Sequence, residues 1–344
     1  MECLRNAWYP VCRANALDEG LFAQQVLGER IVFFRKSDGN VAALEDLCPH
    51  RFLPLSKGRR CGDSIECGYH GLVFEADGRC SRIPGQPVVP SSAKVRSYPT
   101  GESMGLIWIW MGEPLMADLS RLYRLPQYDD HRWRAVHGGS LPNRANYLSL
   151  CDNLLDPSHV TYVHKSTLAT PGVKDVPVTV ETTAEEIIVW RWLLDSPPIP
   201  VFAKTGLFKG NVDRWHYYHF TPPSSCVIDF GTADVGAVTK ETRHTAPQIY
   251  ACHFITPIDD RNCVDHWLHV RNFSIADKAV DAQLTADLAG AFLEDKAILE
   301  AIQIEADRWP DRPQLKIGVD TGPVRMRRML DKLIDGERKR ENAA

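Results

Sequence analysis

Two short segments hold the residues best suited to bind a metal cofactor. The first is Cys48-Pro49-His50-Arg51 and the second is Cys67-Gly68-Tyr69-His70-Gly71, with 16 residues between His50 and Cys67. Two thiolates and two imidazoles form a ligand set that suits zinc or iron. Zinc fingers usually place both Cys in one pair and both His in the other, whereas here each segment carries one of each. The distribution therefore favours a cofactor that takes one thiolate and one imidazole from each loop.

An iron–sulfur cluster with mixed ligands needs this distribution. In a Rieske [2Fe–2S] cluster, two Cys hold one iron and two His hold the other. We therefore predict one such cluster, with a structural zinc site as the alternative. Its expected ligands are Cys48, His50, Cys67 and His70. Hairpin signatures flank both segments, so we expect a β scaffold to hold the ligands rigidly.

A further segment, residues 152–164, combines two His with several acidic side chains. Such residues can bind a non-haem iron as part of a two-His, one-carboxylate set. On a regular helix, His164 lies five residues after His159 and about 140° away around the axis. Both can reach one ion only where the helix ends, kinks or bulges, and Pro157 favours a break nearby. The alternative is that Asp156 caps a helix and that both His are surface groups.

The segments together resemble the Rieske non-haem iron oxygenases. In that family the pattern Asn-x-x-Asp-x-x-His-x-x-x-x-His supplies ligands of the catalytic iron. The pattern falls here on Asn153, Asp156, His159 and His164. The resemblance covers nearly the whole chain, which looks like the short oxygenase components of the vanillate O-demethylase, dicamba O-demethylase and toluenesulfonate methyl-monooxygenase kind. It implies a mononuclear Fe(II) in addition to the cluster, and a ring-shaped homotrimer.

The resemblance also implies roles for individual residues. His159 and His164 would bind the iron. Asp156 would link His159 to the cluster ligand His70 of a neighbouring subunit, because a carboxylate can orient and couple two imidazoles. Asn153 would lie beside the iron as a positioning or gating residue. His253 would contact the acid group of the substrate, with a purely structural role as the alternative.

The third iron ligand must be a carboxylate from elsewhere, and the family places it on a helix late in the chain. Residues 277–306 form the most clearly helical segment, with an apolar stripe at helical spacing. The stripe comprises Leu284, Leu288, Ala291, Ile298 and Ile302. Asp295 falls inside the stripe, where a charged group needs a partner, whereas Glu294 points to the side. We expect Asp295 to be the ligand, and a core Asp with a protein partner is the alternative.

The remaining patterns predict an α+β chain of two domains. Residues 1–115 indicate an all-β Rieske domain, with a hairpin signature at residues 31–44 and a buried strand at residues 106–110. Residues 116–344 form the expected catalytic domain, an antiparallel sheet flanked by helices at 277–306 and 323–340. Its predicted strands begin near residues 178, 187, 215, 226, 249 and 264.

Composition narrows the function further. The formal net charge of −4 gives no case for nucleic acid as a partner. The first residues lack an apolar core of signal-peptide length, and no apolar run is long enough to cross a bilayer. The other cysteines are scattered without a disulfide framework, so we expect a cytoplasmic protein without a membrane partner. No dinucleotide or phosphate-binding fingerprint occurs, so electrons are expected from a separate NAD(P)H-dependent flavin/ferredoxin reductase.

These expectations describe the terminal oxygenase component of a monooxygenase. It would use O2 to hydroxylate a methoxy or methyl group of a small aromatic acid, with O-demethylation as the first choice. The alternatives are an aromatic ring-hydroxylating dioxygenase, an aryl-sulfonate methyl hydroxylase and, in another class, a Rieske protein that only transfers electrons. The sequence does not decide between a place in the pocket wall and a place in the core for Trp190, Trp192, Phe202 and Phe254. Contact with an anionic substrate is one interpretation of Arg191, Arg214 and Arg243. We expect them to be solvated, as arginines usually are.

Overall fold

The computed structural model describes residues 2–18, 20–165, 168 and 176–342. The chain divides into two compact units. The first comprises residues 1–124, 256–259 and 337–344, and the second comprises residues 125–255 and 260–336. The domain boundary at residues 115/116 stays a prediction.

The first unit is built from short antiparallel strands. They are β1 (Trp8–Arg13), β2 (Phe22–Val26), β3 (Glu29–Arg35), β4 (Val41–Glu45), β5 (Arg59–Cys61), β6 (Ser64–Glu66), β7 (Val73–Glu75), β8 (Cys80–Arg82), β9 (Ser97–Tyr98), β10 (Thr100–Ser103) and β11 (Leu106–Trp110). Their sheets have the orders β1-β11-β10, β2-β3-β4-β9 and β5-β6-β7-β8. The hairpin predicted at residues 31–44 is confirmed as β3 paired with β4. Phe34, Phe74 and both predicted cluster cysteines share one buried core.

The second unit is organised around one large antiparallel sheet of order β12-β18-β17-β16-β15-β14-β13. Its strands are β12 (Arg134–Asn143), β13 (Thr179–Thr182), β14 (Ile187–Ser196), β15 (Val212–Thr221), β16 (Ser225–Asp234), β17 (Gln248–Asp259) and β18 (Asn262–Arg271). Every strand predicted for this region is present. The α+β class, with a β-rich first unit followed by an antiparallel sheet and helices, is confirmed.

Strand β12 was not predicted, because it contains Gly138, Gly139 and Pro142, residue types that are rare in strands. It nevertheless pairs with β18, and the register shifts between His137 and Gly139. A side chain at Gly138 would meet the Trp267 ring at 2.1 Å. The glycine therefore makes room for a buried tryptophan, a tertiary requirement that local propensity does not contain.

The helices are α1 (Tyr147–Leu154), α2 (Val160–Val163), α3 (Pro200–Ala203), α4 (Lys278–Arg308) and α5 (Thr321–Glu341). Along α4 the predicted stripe holds through its middle, but the expectation that Ile298 and Ile302 belong to it is wrong, because they are 44% and 46% exposed. The last turns of α4 meet the segment before α1 through Glu300 and Gln303, which turns the buried face away from the two isoleucines. No helix in the described ranges combines the length and apolar character that crossing a bilayer requires.

Candidate metal centres

The two Cys/His segments of the first unit fold into matching loops. In each loop the Cys N–H donates to the carbonyl five residues later, and the residue four positions later donates back to the Cys carbonyl. The bonds are Cys48 to Leu53 (2.9 Å), Phe52 to Cys48 (2.9 Å), Cys67 to Leu72 (2.8 Å) and Gly71 to Cys67 (3.1 Å). Phe52 and Gly71, at equivalent positions, have positive φ of 60° and 70°. This tight turn aims one thiol and one imidazole per loop at a common point.

The side chains of the two loops divide into a buried and an exposed pair. Both Cys48 and Cys67 are 2% exposed. Burial raises the pKa of the Cys48 thiol, and the adjacent Cys67 thiol acts in the same direction. The His50 and His70 rings lie at the surface with centroids 4.4 Å apart. Two adjacent thiols beneath two adjacent imidazoles fit a cluster with one Cys-held and one His-held iron.

In the second unit, the helix break that the two His require is present. The Asn146 side chain accepts from the Leu148 N–H and starts α1, which ends at Leu154. The chain turns through Asp156 and Pro157 before the single turn of α2 begins. His159 precedes α2, and His164 follows it with φ −95° and ψ 40°. The two His therefore flank one helical turn rather than lying on a continuous helix.

The structure brings His159 and His164 together with Asp295 of α4. The His159 Nε2 and His164 Nε2 atoms are 3.2 Å apart. Asp295 Oδ1 lies 3.4 Å from His159 Nε2 and 3.3 Å from His164 Nε2. Nitrogen and carboxylate ligands at about 2.1 Å from one ion produce a triangle of this size. The donor set and its spacing thus fit a non-haem iron with one open side.

Comparisons with known proteins agree with both centres. Family models match the Rieske [2Fe-2S] domain over residues 7–99 and the vanillate O-demethylase oxygenase C-terminal domain over residues 143–336. The iron-sulfur subunit of the toluene-4-sulfonate monooxygenase system of Comamonas testosteroni is 33% identical, over 97% of this chain and 98% of that protein. The oxygenase component of dicamba O-demethylase from Stenotrophomonas maltophilia is 33% identical, with coverages of 97% and 98%. Dicamba monooxygenase bound to 3,6-dichlorosalicylic acid has a TM-score of 0.91 at 31% identity, covering 98% of this chain and 99% of that chain.

The chain belongs to the Rieske non-haem iron oxygenases. It is an oxidoreductase, the oxygenase component of a Rieske-type monooxygenase, with a [2Fe–2S] cluster and a mononuclear non-haem iron as cofactors. The prediction of a Rieske cluster in preference to zinc is confirmed. An oxygenase component also depends on a separate protein for its electrons, so the electron-carrier alternative does not apply to this chain.

The outer nitrogens of both His in this oxygenase are held by acceptors. His159 Nδ1 bonds to the backbone carbonyl of Asp156, and His164 Nδ1 lies 2.9 Å from Glu294 Oε2. Asn153 Nδ2 donates to Asp295 Oδ1 at 3.0 Å. These contacts turn each Nε2 and the carboxylate toward the same point. Sequence reasoning missed the Glu294 contact; the signal for it was the adjacent carboxylate pair on one helix.

The electrostatics of the iron site favour a cation. Burial lowers the pKa of His159, against the opposing charge of Asp295. At His164, burial also acts to lower the pKa, but hydrogen bonds and charges from Asp295 and Glu294 outweigh it and raise the value. Two carboxylates beside the partly buried His159 and the buried His164 suit a divalent ion.

The Asp156 carboxylate forms a local turn. It accepts from the Ser158 N–H at 2.8 Å and from the Ser158 hydroxyl. Its link to His159 runs through the backbone carbonyl, and the next carbonyl, of Pro157, accepts from Arg191 at 2.9 Å. The carboxylate therefore closes a turn ahead of α2, whose N-cap is His159 and not Asp156. The intersubunit role of Asp156 stays a prediction.

A cavity of about 60 Å³ opens beside the iron site. Its lining combines the iron-site residues with apolar side chains and with His216 and Tyr218 of β15. His253 is outside this lining: it bonds to Asp265 at 2.8 Å, and its ring meets Phe292, which does line the cavity. The substrate role of His253 stays a prediction.

The bulky residues proposed for the pocket are not brought to it. Trp190 and Trp192 lie on the other face of the sheet, where they stack on Tyr217 and Trp215. Phe202 packs in the core, and Phe254 is fully buried. The expectation of solvated arginines is wrong for Arg191 and Arg214, which are each 2% exposed. Arg243 pairs with Asp229 at 3.2 Å.

Proposed function

We propose that this oxygenase hydroxylates a methoxy or methyl group of a small aromatic acid, with O-demethylation as its main reaction. The observation that carries the proposal is the His159–His164–Asp295 triangle beside a narrow, mostly apolar cavity. The apolar walls of the cavity suit an aromatic substrate. The proteins named above act, by their names, on an aryl sulfonate and on dicamba.

The metal assignments belong to this proposal. Cys48, His50, Cys67 and His70 hold the cluster, while His159, His164 and Asp295 hold the iron. When bound, the cluster supplies electrons and the iron activates O2. The chain itself holds the imidazoles by their outer nitrogens, keeps the carboxylate in place through Asn153, and surrounds the target group with apolar walls that exclude water.

The overall reaction sets what must be measured. One oxygen atom enters a methyl C–H bond and the other leaves as water, with two electrons and two protons consumed. A hydroxylated methoxy group is a hemiacetal, which collapses to a phenol and formaldehyde. The electrons come from an NAD(P)H-dependent flavin/ferredoxin reductase, and the working assembly is a cytoplasmic homotrimer. In it, Asp156 connects His159 with His70 of a neighbouring subunit, and His253 is a further substrate contact.

The test supplies purified holoenzyme with NADH, a flavin–ferredoxin reductase and O2. Vanillate, methoxybenzoates and 4-toluenesulfonate are the substrates, and formaldehyde and hydroxylated products are quantified. Formaldehyde in step with substrate-dependent NADH use supports O-demethylation. A benzylic alcohol without formaldehyde assigns methyl hydroxylation, and a cis-dihydrodiol assigns ring dioxygenation. Asp295→Ala is the inactive control.

A further inference from the structure

The cavity beside the iron site is lined by two groups of polar residues. Its first group of polar residues lies on helical segments and surrounds the metal position. The second consists of His216 and Tyr218 on β15, and the proposed function gives these residues no role. In a pocket with otherwise apolar walls, a few polar groups fix the orientation of a ligand. These two side chains are therefore the places to look for substrate recognition.

Two buried arginines lie beside His216 on the same face of the sheet. Arg191 is directly opposite His216 in the pairing of β14 with β15. Arg214 lies two residues before His216 and so on the same face of the strand. Burial and the charge of Arg191 lower the pKa of Arg214 to about 10, so the Arg214 guanidinium stays charged at neutral pH. Arg191 carries the same group, which is effectively always protonated in proteins. Tyr218 and Asp156 act on the pKa of Arg191 in the opposite direction to burial. Two guanidinium groups near one carboxylate favour an anion at this place.

The hydrogen-bonding state of His216 follows from its neighbours. Burial raises the pKa of Tyr218 to about 12, so its hydroxyl keeps its proton. That hydroxyl lies 3.4 Å from His216 Nδ1. Burial, Arg191 and Arg214 together hold the pKa of His216 well below its usual range, and the ring is neutral. When Nδ1 accepts from the tyrosine, the ring proton resides on Nε2, which is then a donor.

We propose that His216 anchors the acid group of the substrate, with its Nε2–H donating to a carboxylate or sulfonate oxygen. Tyr218 fixes the imidazole, and the Arg191–Arg214 pair favours the negative charge. This rests on the proposed function only in taking the substrate to be an aromatic acid. His216 lines the cavity and can therefore meet the acid group of the substrate, whereas His253 bonds to Asp265 outside the lining.

The test measures binding in the absence of electrons. Calorimetric titration of oxidised holoenzyme with 3-methoxybenzoate and with neutral 3-methoxytoluene gives the anion preference of each variant. His216→Ala should weaken 3-methoxybenzoate by about ten- to a hundredfold, the range for a hydrogen bond to a charged group, and leave 3-methoxytoluene unchanged. His216→Gln keeps an N–H donor and should restore part of the preference. His219→Ala is the matched control, because His219 lies on the same strand but bonds to Glu186 on the other face.

The outcomes separate this anchor from the reaction. An unchanged preference in His216→Ala, an equal loss for both probes, or no preference in the unmutated protein overturns the anchor. Loss of the preference in His253→Ala alone moves the anchor to His253. Selective binding that depends on His216, without formaldehyde in the complete assay, refutes O-demethylation and leaves the anchor. Formaldehyde formation with no effect of His216→Ala refutes the anchor and leaves the reaction.

Discussion

Substitution of Glu294 tests whether a carboxylate outside the iron triangle sets the affinity of the site. Glu294→Gln keeps an oxygen that can accept from His164 Nδ1 but removes the negative charge, and Glu294→Ala removes the acceptor as well. Both changes leave the three donor atoms of His159, His164 and Asp295 intact. We expect iron affinity to fall in the order wild type, Gln, Ala, because the outer partner orients the imidazole and raises its basicity.

The size of the effect follows from the geometry. Loss of an outer partner of a metal-bound His typically costs about 10–100-fold in affinity, or about 1.4–2.8 kcal/mol at 1.4 kcal/mol per tenfold. The 2.9 Å contact is short, and the His164 side chain is only 3% exposed, but the Glu294 side chain is 28% exposed. Because solvent screens the partly exposed Glu294 charge, Glu294→Gln should lower iron affinity by about tenfold. Glu294→Ala also removes the acceptor and should lower it by nearer a hundredfold. Asp295→Ala removes a donor itself and should abolish iron retention.

The assay is anaerobic titration of iron-free protein with Fe(II), followed by iron analysis after gel filtration. The paramagnetic resonance signal of the reduced cluster reports on folding of the first unit and should be unchanged. Asp287→Asn is the matched control, since Asp287 lies on the same helix and pairs with Lys204 at 2.7 Å. Wild-type affinity in Glu294→Ala would refute the orienting contact. Iron retained by Asp295→Ala but lost from Glu294→Ala would exchange the roles of the two carboxylates.

Three further predictions use other parts of the chain. Asp156→Asn should keep both metal centres but slow turnover, because an amide cannot supply the charge that couples two imidazoles. The cluster of the variant should stay reduced after substrate and O2 are added, and turnover at the wild-type rate would contradict the coupling role of Asp156. Cys67→Ser should lose the Rieske signal and labile sulfide while retaining the mononuclear iron, and an intact cluster would remove Cys67 from the ligand set. Gly138→Ala should lower the free energy of unfolding by about 1–3 kcal/mol, because the new methyl group meets the Trp267 ring. Urea denaturation compares this variant with Gly210→Ala, where nothing lies within 4 Å, and equal stabilities of the two variants would refute the prediction.

The strands that the sequence revealed are short apolar runs bounded by turn residues. Ile31 to Arg35 and the strand ending at Trp110 carry β-branched and aromatic residues between turn residues, and both form as predicted. Strand β12 was invisible because its place in the sheet depends on pairing with β18 and on the fit of Trp267 against Gly138. Local propensity yields to such tertiary packing.

The face that each strand turns toward the cavity could not be read from the sequence. In β14, Trp190, Arg191 and Trp192 alternate, so the tryptophans must share one face and the arginine must take the other. Hydrophobicity assigns the tryptophans to the pocket side, whereas the structure puts Arg191 there, beside His216. A period of two fixes which residues belong together, but the side they face depends on what packs against the sheet.

The carboxylate pair on α4 was predictable in one respect and not in the other. Successive helical residues point about 100° apart, so only one of Glu294 and Asp295 can lie in the buried stripe, and the spacing from Leu288 selects Asp295. The role of Glu294 as the partner of His164 depends on the position of His164. That position is set by the end of α2 and not by α4. With His164 between them, the flanking Glu294 meets its Nδ1 while Asp295 meets the Nε2 side. One helical turn thus supplies both the expected ligand and the group that orients its neighbour, and a one-residue shift of α4 would disrupt both contacts at once.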